Sequence, residues 1–135
     1  MVFELSVEEL KFLDDNECCR LATSFRNKPH VVPVCYVFTD GCFYISTEYD
    51  TKKLRNAKNN SFVSLVVDIY VPQNHKGIVI CGSAQLLEKG MSFQKIYAIF
   101  FNKFDWVRND PWSECESPFL KIQPNSKVSW GLDKT

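Results

Sequence analysis

Residues 29–68 read PHVVPVCYVFTDGCFYISTEYDTKKLRNAKNNSFVSLVVD, and the fold turns on this stretch. From His30 to Phe38 nearly every residue is β-branched or aromatic, with Pro33 as the one break, so a strand is expected. Asp40-Gly41 then supplies the positive φ angles of a two-residue hairpin turn, and Cys42 to Thr47 runs back as the partner strand. Thr51-Lys52-Lys53-Leu54-Arg55-Asn56 is polar and carries the caps to open a helix. Phe62 to Asp68 resumes as a strand. The second strand thus delivers Ser46 and Thr47 beside a helix start that carries Lys52 and Lys53. Hydroxyls, free backbone N–H groups and cations converging on a helix N-terminus make an anion site, most naturally for a phosphate.

Working outward, Ser6-Val7-Glu8-Glu9 is a capping box that opens a helix with Val7, Leu10 and Leu13 at helical spacing, ending near Asn16. Cys18 to Phe25 is the first strand, with Arg20, Ala22 and Ser24 on one face and Cys19, Leu21, Thr23 and Phe25 on the other. An arginine in mid-strand needs an anionic or carbonyl partner, supplied by the fold or by a ligand. Arg26 to Pro29 turns the chain into the second strand. Beyond Asp68, Ile69 to Lys76 is a loop and Gly77 to Glu88 a long strand, in which Gly82 marks a bulge or a close approach. Phe93, Ile96, Tyr97, Phe100, Phe101 and Phe104 recur at spacings of three and four in a helix from Gly90 to Asp105, the pattern of a core or subunit contact. Asp105 to Ser117 is irregular and holds Trp106 and Trp112. Phe119 to Gln123 and Lys127 to Trp130 are the last strands, joined by Pro124-Asn125-Ser126. Six or seven mostly antiparallel strands with a few helices make a mainly β protein, a small barrel.

At 135 residues, 45% of them apolar, residues 1–135 are expected to form a single domain. Sixteen basic and sixteen acidic residues cancel, which argues against a general binder of nucleic acid or of anionic membranes. No apolar run reaches the length of a membrane span, and MVFELSVEELK has neither a basic nor an apolar leader region, so a cytoplasmic location is expected. The six cysteines show no C-x-x-C spacing, and adjacent Cys18 and Cys19 point to opposite faces of a strand. With two histidines besides, no metal site is expected, and the cysteines read as free, buried thiols.

The order of these motifs resembles the pyridoxamine 5'-phosphate oxidase-like family of flavin-binding split barrels. The resemblance is carried by Arg20-Leu21-Ala22-Thr23, by Pro29-His30-Val31-Val32-Pro33-Val34, by Thr47 through Lys53-Leu54-Arg55-Asn56, and by Val63 to Asp68. The tail Ile122-Gln123-Pro124, with Val128-Ser129-Trp130-Gly131, adds to it, so that roughly residues 8 to 131 are covered. It implies a homodimer that holds flavin mononucleotide (FMN) in two symmetric clefts at the subunit interface. Arg20, Thr23, Pro33 and Val34 would line the flavin, and Ser46, Thr47, Lys52 and Lys53 would surround its phosphate. Lys53 is the better match to the family's phosphate-binding lysine, because it stands two residues before Arg55-Asn56. Trp130 matches the family's late tryptophan and would reach the ring from the neighbouring subunit. The oxidases proper carry a substrate-handling arginine and histidine after that tryptophan. Gly131 to Thr135 contain neither, so oxidation of pyridoxamine 5'-phosphate is not expected.

The expected activity is flavin-dependent oxidoreduction of a small molecule. A flavin does its own electron chemistry, which suits a chain without a persuasive nucleophile-and-base motif. The alternatives are a deazaflavin-dependent reductase on the same barrel, toward which Asp68-Ile69-Tyr70 leans, and a flavin- or haem-binding protein without turnover.

Overall fold

In the computed structural model, which describes residues 3–132, the chain runs α1 (Val7–Asp15), β1 (Cys18–Phe25), β2 (Lys28–Cys35), β3 (Val37–Thr39), β4 (Cys42–Ser46), α2 (Lys52–Asn59), β5 (Phe62–Ile69), β6 (Lys76–Leu87), α3 (Gly90–Lys103), α4 (Asp105–Asn109) and β7 (Phe119–Trp130). Asp133 to Thr135, part of the tail on which the pyridoxamine phosphate expectation rests, lie outside the described residues.

The strands form one antiparallel sheet in the order β2-β1-β5-β6-β7-β4-β3. Its two edge strands are consecutive in the chain, so the sheet curls until β2 leads into β3. The expected mainly β barrel is therefore what forms, with seven strands. Asp40 and Gly41 have φ of 53° and 78°, as their hairpin requires. Arg26 and Asn27, at 52° and 63°, make a second such turn between β1 and β2.

Most strand ends fall within a residue or two of those the sequence suggested, and two strands differ more. The run from His30 to Phe38 breaks at Tyr36, not at Pro33. Pro33 is tolerated because β2 is an edge strand, where a missing N–H costs the ladder nothing. At Tyr36 the backbone N–H donates to the Glu17 carbonyl (2.9 Å) and the hydroxyl to the Leu13 carbonyl (2.6 Å). The ring is fully buried, and burial pushes its hydroxyl pKa up. At the other end of the chain, the two expected last strands are one continuous β7. Its proline is absorbed by a bulge: Cys81 faces Ser126 and Gly82 faces Pro124, leaving Asn125 as the extra residue. A Cβ on Gly82 would lie 2.4 Å from the Gln123 carbonyl oxygen, so the residue has to be glycine.

Two apolar cores result. Inside the barrel, Leu21, Phe43, Ile45, Leu65, Ile80 and Ile122 meet, with Phe12 and Leu13 of α1 and Leu54 and Ala57 of α2 packed in from the helices. Outside it, Phe93, Ile96, Phe100, Phe104 and Val107 of the α3–α4 segment pack on Val37, Tyr44 and Phe119, so the aromatic stripe of α3 is core. Among the described residues nothing covers the outer face of β2, β1, β5, β6 and the end of β7 in this way, and Val31, Phe62 and Val128 stand 65%, 72% and 67% exposed.

The first helix buries a different side from the one its apolar spacing suggested. Val7 and Leu10 are exposed, whereas Glu9, Phe12 and Leu13 are buried. Glu9 accepts bonds from the Ser6 N–H (2.8 Å), the Ser129 hydroxyl (2.7 Å) and the Lys127 ammonium, and so ties α1 to β7. Burial alone would raise its pKa, but the bonds from Lys127, Ser6 and Ser129 outweigh it and hold the carboxyl below its ordinary value. A lowered carboxyl pKa stabilises the fold above the unfolded-state value, and this contribution disappears as pH falls through the folded-state pKa. Glu9→Gln is therefore expected to cost about 1–3 kcal/mol at pH 7. The gap from the unsubstituted protein should narrow below about pH 4.5 in urea titrations run across pH.

Candidate functional site

Where β4 ends and α2 begins, the chain is held by a set of short bonds. The Thr47 N–H donates to the Pro118 carbonyl (3.0 Å), which fastens the end of β4 to the segment before β7. The Thr51 hydroxyl donates to the Glu48 carbonyl (2.9 Å) and lies 2.9 Å from the Thr47 hydroxyl. Arg55 reaches back to the Asp50 carbonyl (2.6 Å). Thr51 is the N-cap of α2, yet its side chain makes no cap bond, and the first backbone donor answered inside the helix is Arg55. The N–H groups of the first turn are thus left for a ligand or for water.

A cleft of about 580 Å³ opens at this point. Ser46, Thr47, Thr51 and Lys53 form one side, and Trp106 and Trp112 stand on another. The two indoles lie nearly parallel, at 12° with centroids 6.3 Å apart. Trp112 is fixed by an edge contact with Tyr97 and by its backbone N–H, which donates to the Tyr97 hydroxyl (3.1 Å). Its indole Nε1 is buried without a hydrogen-bond partner among the described residues. Among the described residues no carboxylate forms a salt bridge with Lys53. Burial lowers its pKa, and the negative charge of Glu48 pulls the other way. Asp110 and Glu116 also border the cleft, and Glu116 is engaged by the Ser113 N–H. An anion here would be held by Lys53, the hydroxyls and the helix start against three nearby carboxylates.

The residues singled out from the sequence fall into three groups. Ser46, Thr47 and Lys53 meet in the cleft, while Lys52 is exposed and stands outside its lining. Arg20, Pro33 and Trp130 share the uncovered outer face. There Arg20 finds its anionic partner in Asp68 (3.3 Å). Trp130 lies across Gly77, whose added Cβ would come within 2.6 Å of its ring, and it meets His75 edge-on. Its Nε1 is buried and unpartnered too. Thr23 and Val34 point inward: the buried Thr23 hydroxyl accepts from Asn56 (3.1 Å), and Val34 packs on the barrel core. Ser46 pairs with Phe119 at one end of β7, and Trp130 lies at the other, roughly 36 Å away along the strand at about 3.3 Å per residue. Within one chain Trp130 is remote from Lys53.

Trp106 and Trp112 are among the cleft residues that the sequence left unassigned. The sequence stretch that holds them is not wholly irregular, because Asp105–Asn109 folds as α4. The signal lay in strand order: once β4 pairs with β7, whatever precedes Phe119 has to pass beside Ser46.

A small split barrel with a polar, aromatic-walled cleft at a helix start is the class this geometry defines. The family model described as pyridoxamine 5'-phosphate oxidase matches residues 6–124, and the chain belongs to that family. A putative pyridoxamine 5'-phosphate oxidase from Listeria innocua superposes with a TM-score of 0.76 at 17% identity, over 93% of this chain and 99% of that one. An FAD-binding protein from Mesorhizobium loti gives 0.75 at 24% identity, over 93% and 94%. HutZ, the haem storage protein of Vibrio cholerae, gives 0.79 at 16%, over 93% and 94%. At these identities the likeness is one of fold. No protein of curated function matches the sequence.

Asn56 anchors α2 to β1 under the cleft, and its loss leaves the buried Thr23 hydroxyl without that donor. Asn56→Ala is expected to lower stability by about 1–3 kcal/mol, read as a shifted urea midpoint with unchanged slope.

Proposed function

We propose that the protein binds FMN through the cleft at the start of α2 and acts as a flavin-dependent oxidoreductase on a small molecule. The observation that carries this reading is the meeting of Lys53 with the Thr47 and Thr51 hydroxyls at the uncapped first turn of α2, the anchor a phosphate needs. Membership of the family supports it, as does the likeness to an FAD-binding protein. A volume of about 580 Å³ suits a cofactor-sized ligand. Trp106 and Trp112 offer an aromatic wall for a flat ring.

When bound, a flavin supplies the electron chemistry, accepting a pair of electrons from one partner and passing it to another. The chain's own part is to hold the phosphate with Lys53 and the first-turn N–H groups of α2, beside the two threonine hydroxyls, and to wall the ring.

The same reading includes a homodimer. Trp130, on the outer face, lies far along β7 from the cleft of its own chain, so a role at the ring requires a second subunit. Exposed Val31, Phe62 and Val128 give that face the apolar character buried in obligate dimers. A deazaflavin or haem in place of FMN would show at once in the visible absorption of freshly purified protein.

Lys53→Ala removes a charge-assisted bond worth about 1.5–3 kcal/mol, so FMN should bind about 10- to 150-fold more weakly. Riboflavin, which lacks the phosphate, should bind both proteins alike. Paired fluorescence titrations test this, and an equal loss of both flavins would place the phosphate elsewhere. Light scattering at micromolar concentration should give twice the chain mass; a monomer that retains its flavin would overturn the dimer.

A further inference from the structure

Cys18 and Cys35 stand directly opposite each other where β1 begins and β2 ends. Their Sγ atoms are 3.8 Å apart. Facing residues of an antiparallel pair have Cα atoms about 4.5 or 5.5 Å apart, and either distance lies inside the range of about 4.4–6.8 Å that a disulfide spans. Side-chain rotation alone can therefore bring the sulfurs to bonding distance. Within the chain Cys18 is exposed, at the end of the outer face, whereas Cys35 is half-buried. The other thiols are placed differently. Cys19 is sealed in the barrel, Cys42 donates to Gln123 (3.3 Å), Cys81 contacts Ser64 (3.7 Å), and Cys115 lies in the loop before β7.

We infer that Cys18 and Cys35 form a reversible disulfide by exchange with a low-molecular-weight disulfide, and that the bond acts on the cleft through Trp106. The Cys18 thiolate attacks the oxidant, forms a mixed disulfide and releases one small thiolate. Cys35 gives up its proton and attacks the Cys18 sulfur, and the second small thiol leaves. Two protein thiols are oxidised and one small disulfide is reduced to two thiols. Burial and the neighbouring Cys18 push the Cys35 thiol up to about 11, which leaves the exposed Cys18 as the thiol that attacks first. Cys35 packs against the cluster of Phe104 and Val107 in the α3–α4 segment, and Trp106 of α4 lies on Phe104, with ring centroids 5.4 Å apart. Bonding to Cys18 moves that sulfur relative to the α3–α4 segment, whose Trp106 forms part of the cleft wall. The consequence for a bound ligand rests on the reading of the cleft given above; the bond itself does not.

The test treats the full-length protein with glutathione disulfide, quenches with acid, alkylates the remaining thiols and maps the sites by mass. Two alkylation sites should be lost together, at Cys18 and Cys35, and dithiothreitol should restore both. Cys35→Ser should stop as a glutathione adduct on Cys18, and Cys18→Ser should lose no pair. Tryptophan emission should change on oxidation of the unsubstituted protein and stay constant in Trp106→Phe. Unsubstituted protein that stops at the glutathione adduct, or a pair mapped elsewhere, would overturn the bond. Emission unchanged after complete oxidation would overturn its link to Trp106. Neither readout involves flavin, so a failure here is separate from a failure of the phosphate anchor.

Discussion

The Tyr36 hydroxyl, bonded to the carbonyl of Leu13 inside the barrel, sits at the point on which the fold depends. There the chain leaves one edge of the sheet and enters the other. A phenol in an apolar interior has to find an acceptor, and the last turn of α1 supplies it. One buried bond therefore fixes both the curl of the sheet and the position of the helix that covers its end. The Tyr36 N–H, bonded to Glu17, leaves the chain no freedom to run straight on.

The rest of the molecule is arranged to keep that curl. The bulge beside Gly82 lets β7 bend through its proline without losing register, so the same strand can pair with β6 along its length and with β4 at its start. This shared strand brings the residues before Phe119 against Ser46 and Thr47. The cleft is thus a product of sheet order: its polar side belongs to a β–α turn and its aromatic side to a segment about sixty residues further along the chain.

Local chemistry made much of this legible in the sequence. The Asp40-Gly41 turn, the capping box, the bulge glycine and the approach of Ser46 and Thr47 to Lys53 each depend on residues close in sequence, and each is found. What escaped was long-range. Glu9 looked like a solvent-facing cap residue until Lys127 and Ser129 arrived from the far end of the chain to satisfy it. Pro33 looked like a break because nothing local announces an edge strand. Trp106 and Trp112 looked irregular because their partners lie on other elements. Cys18 and Cys35, seventeen residues apart, become a pair only through the register of β1 with β2.

The two prolines of β2 have a further effect. Pro29 and Pro33 lie four residues apart on the free edge, at positions whose N–H groups would otherwise point away from β1. An extended segment arriving there finds two of its expected donors missing and cannot complete a ladder. Growth of the sheet by recruitment of a foreign strand, the usual hazard of an open edge, is blocked at β2. At this edge, contact with another chain is left to side-chain surfaces, where fit and chemistry decide the partner.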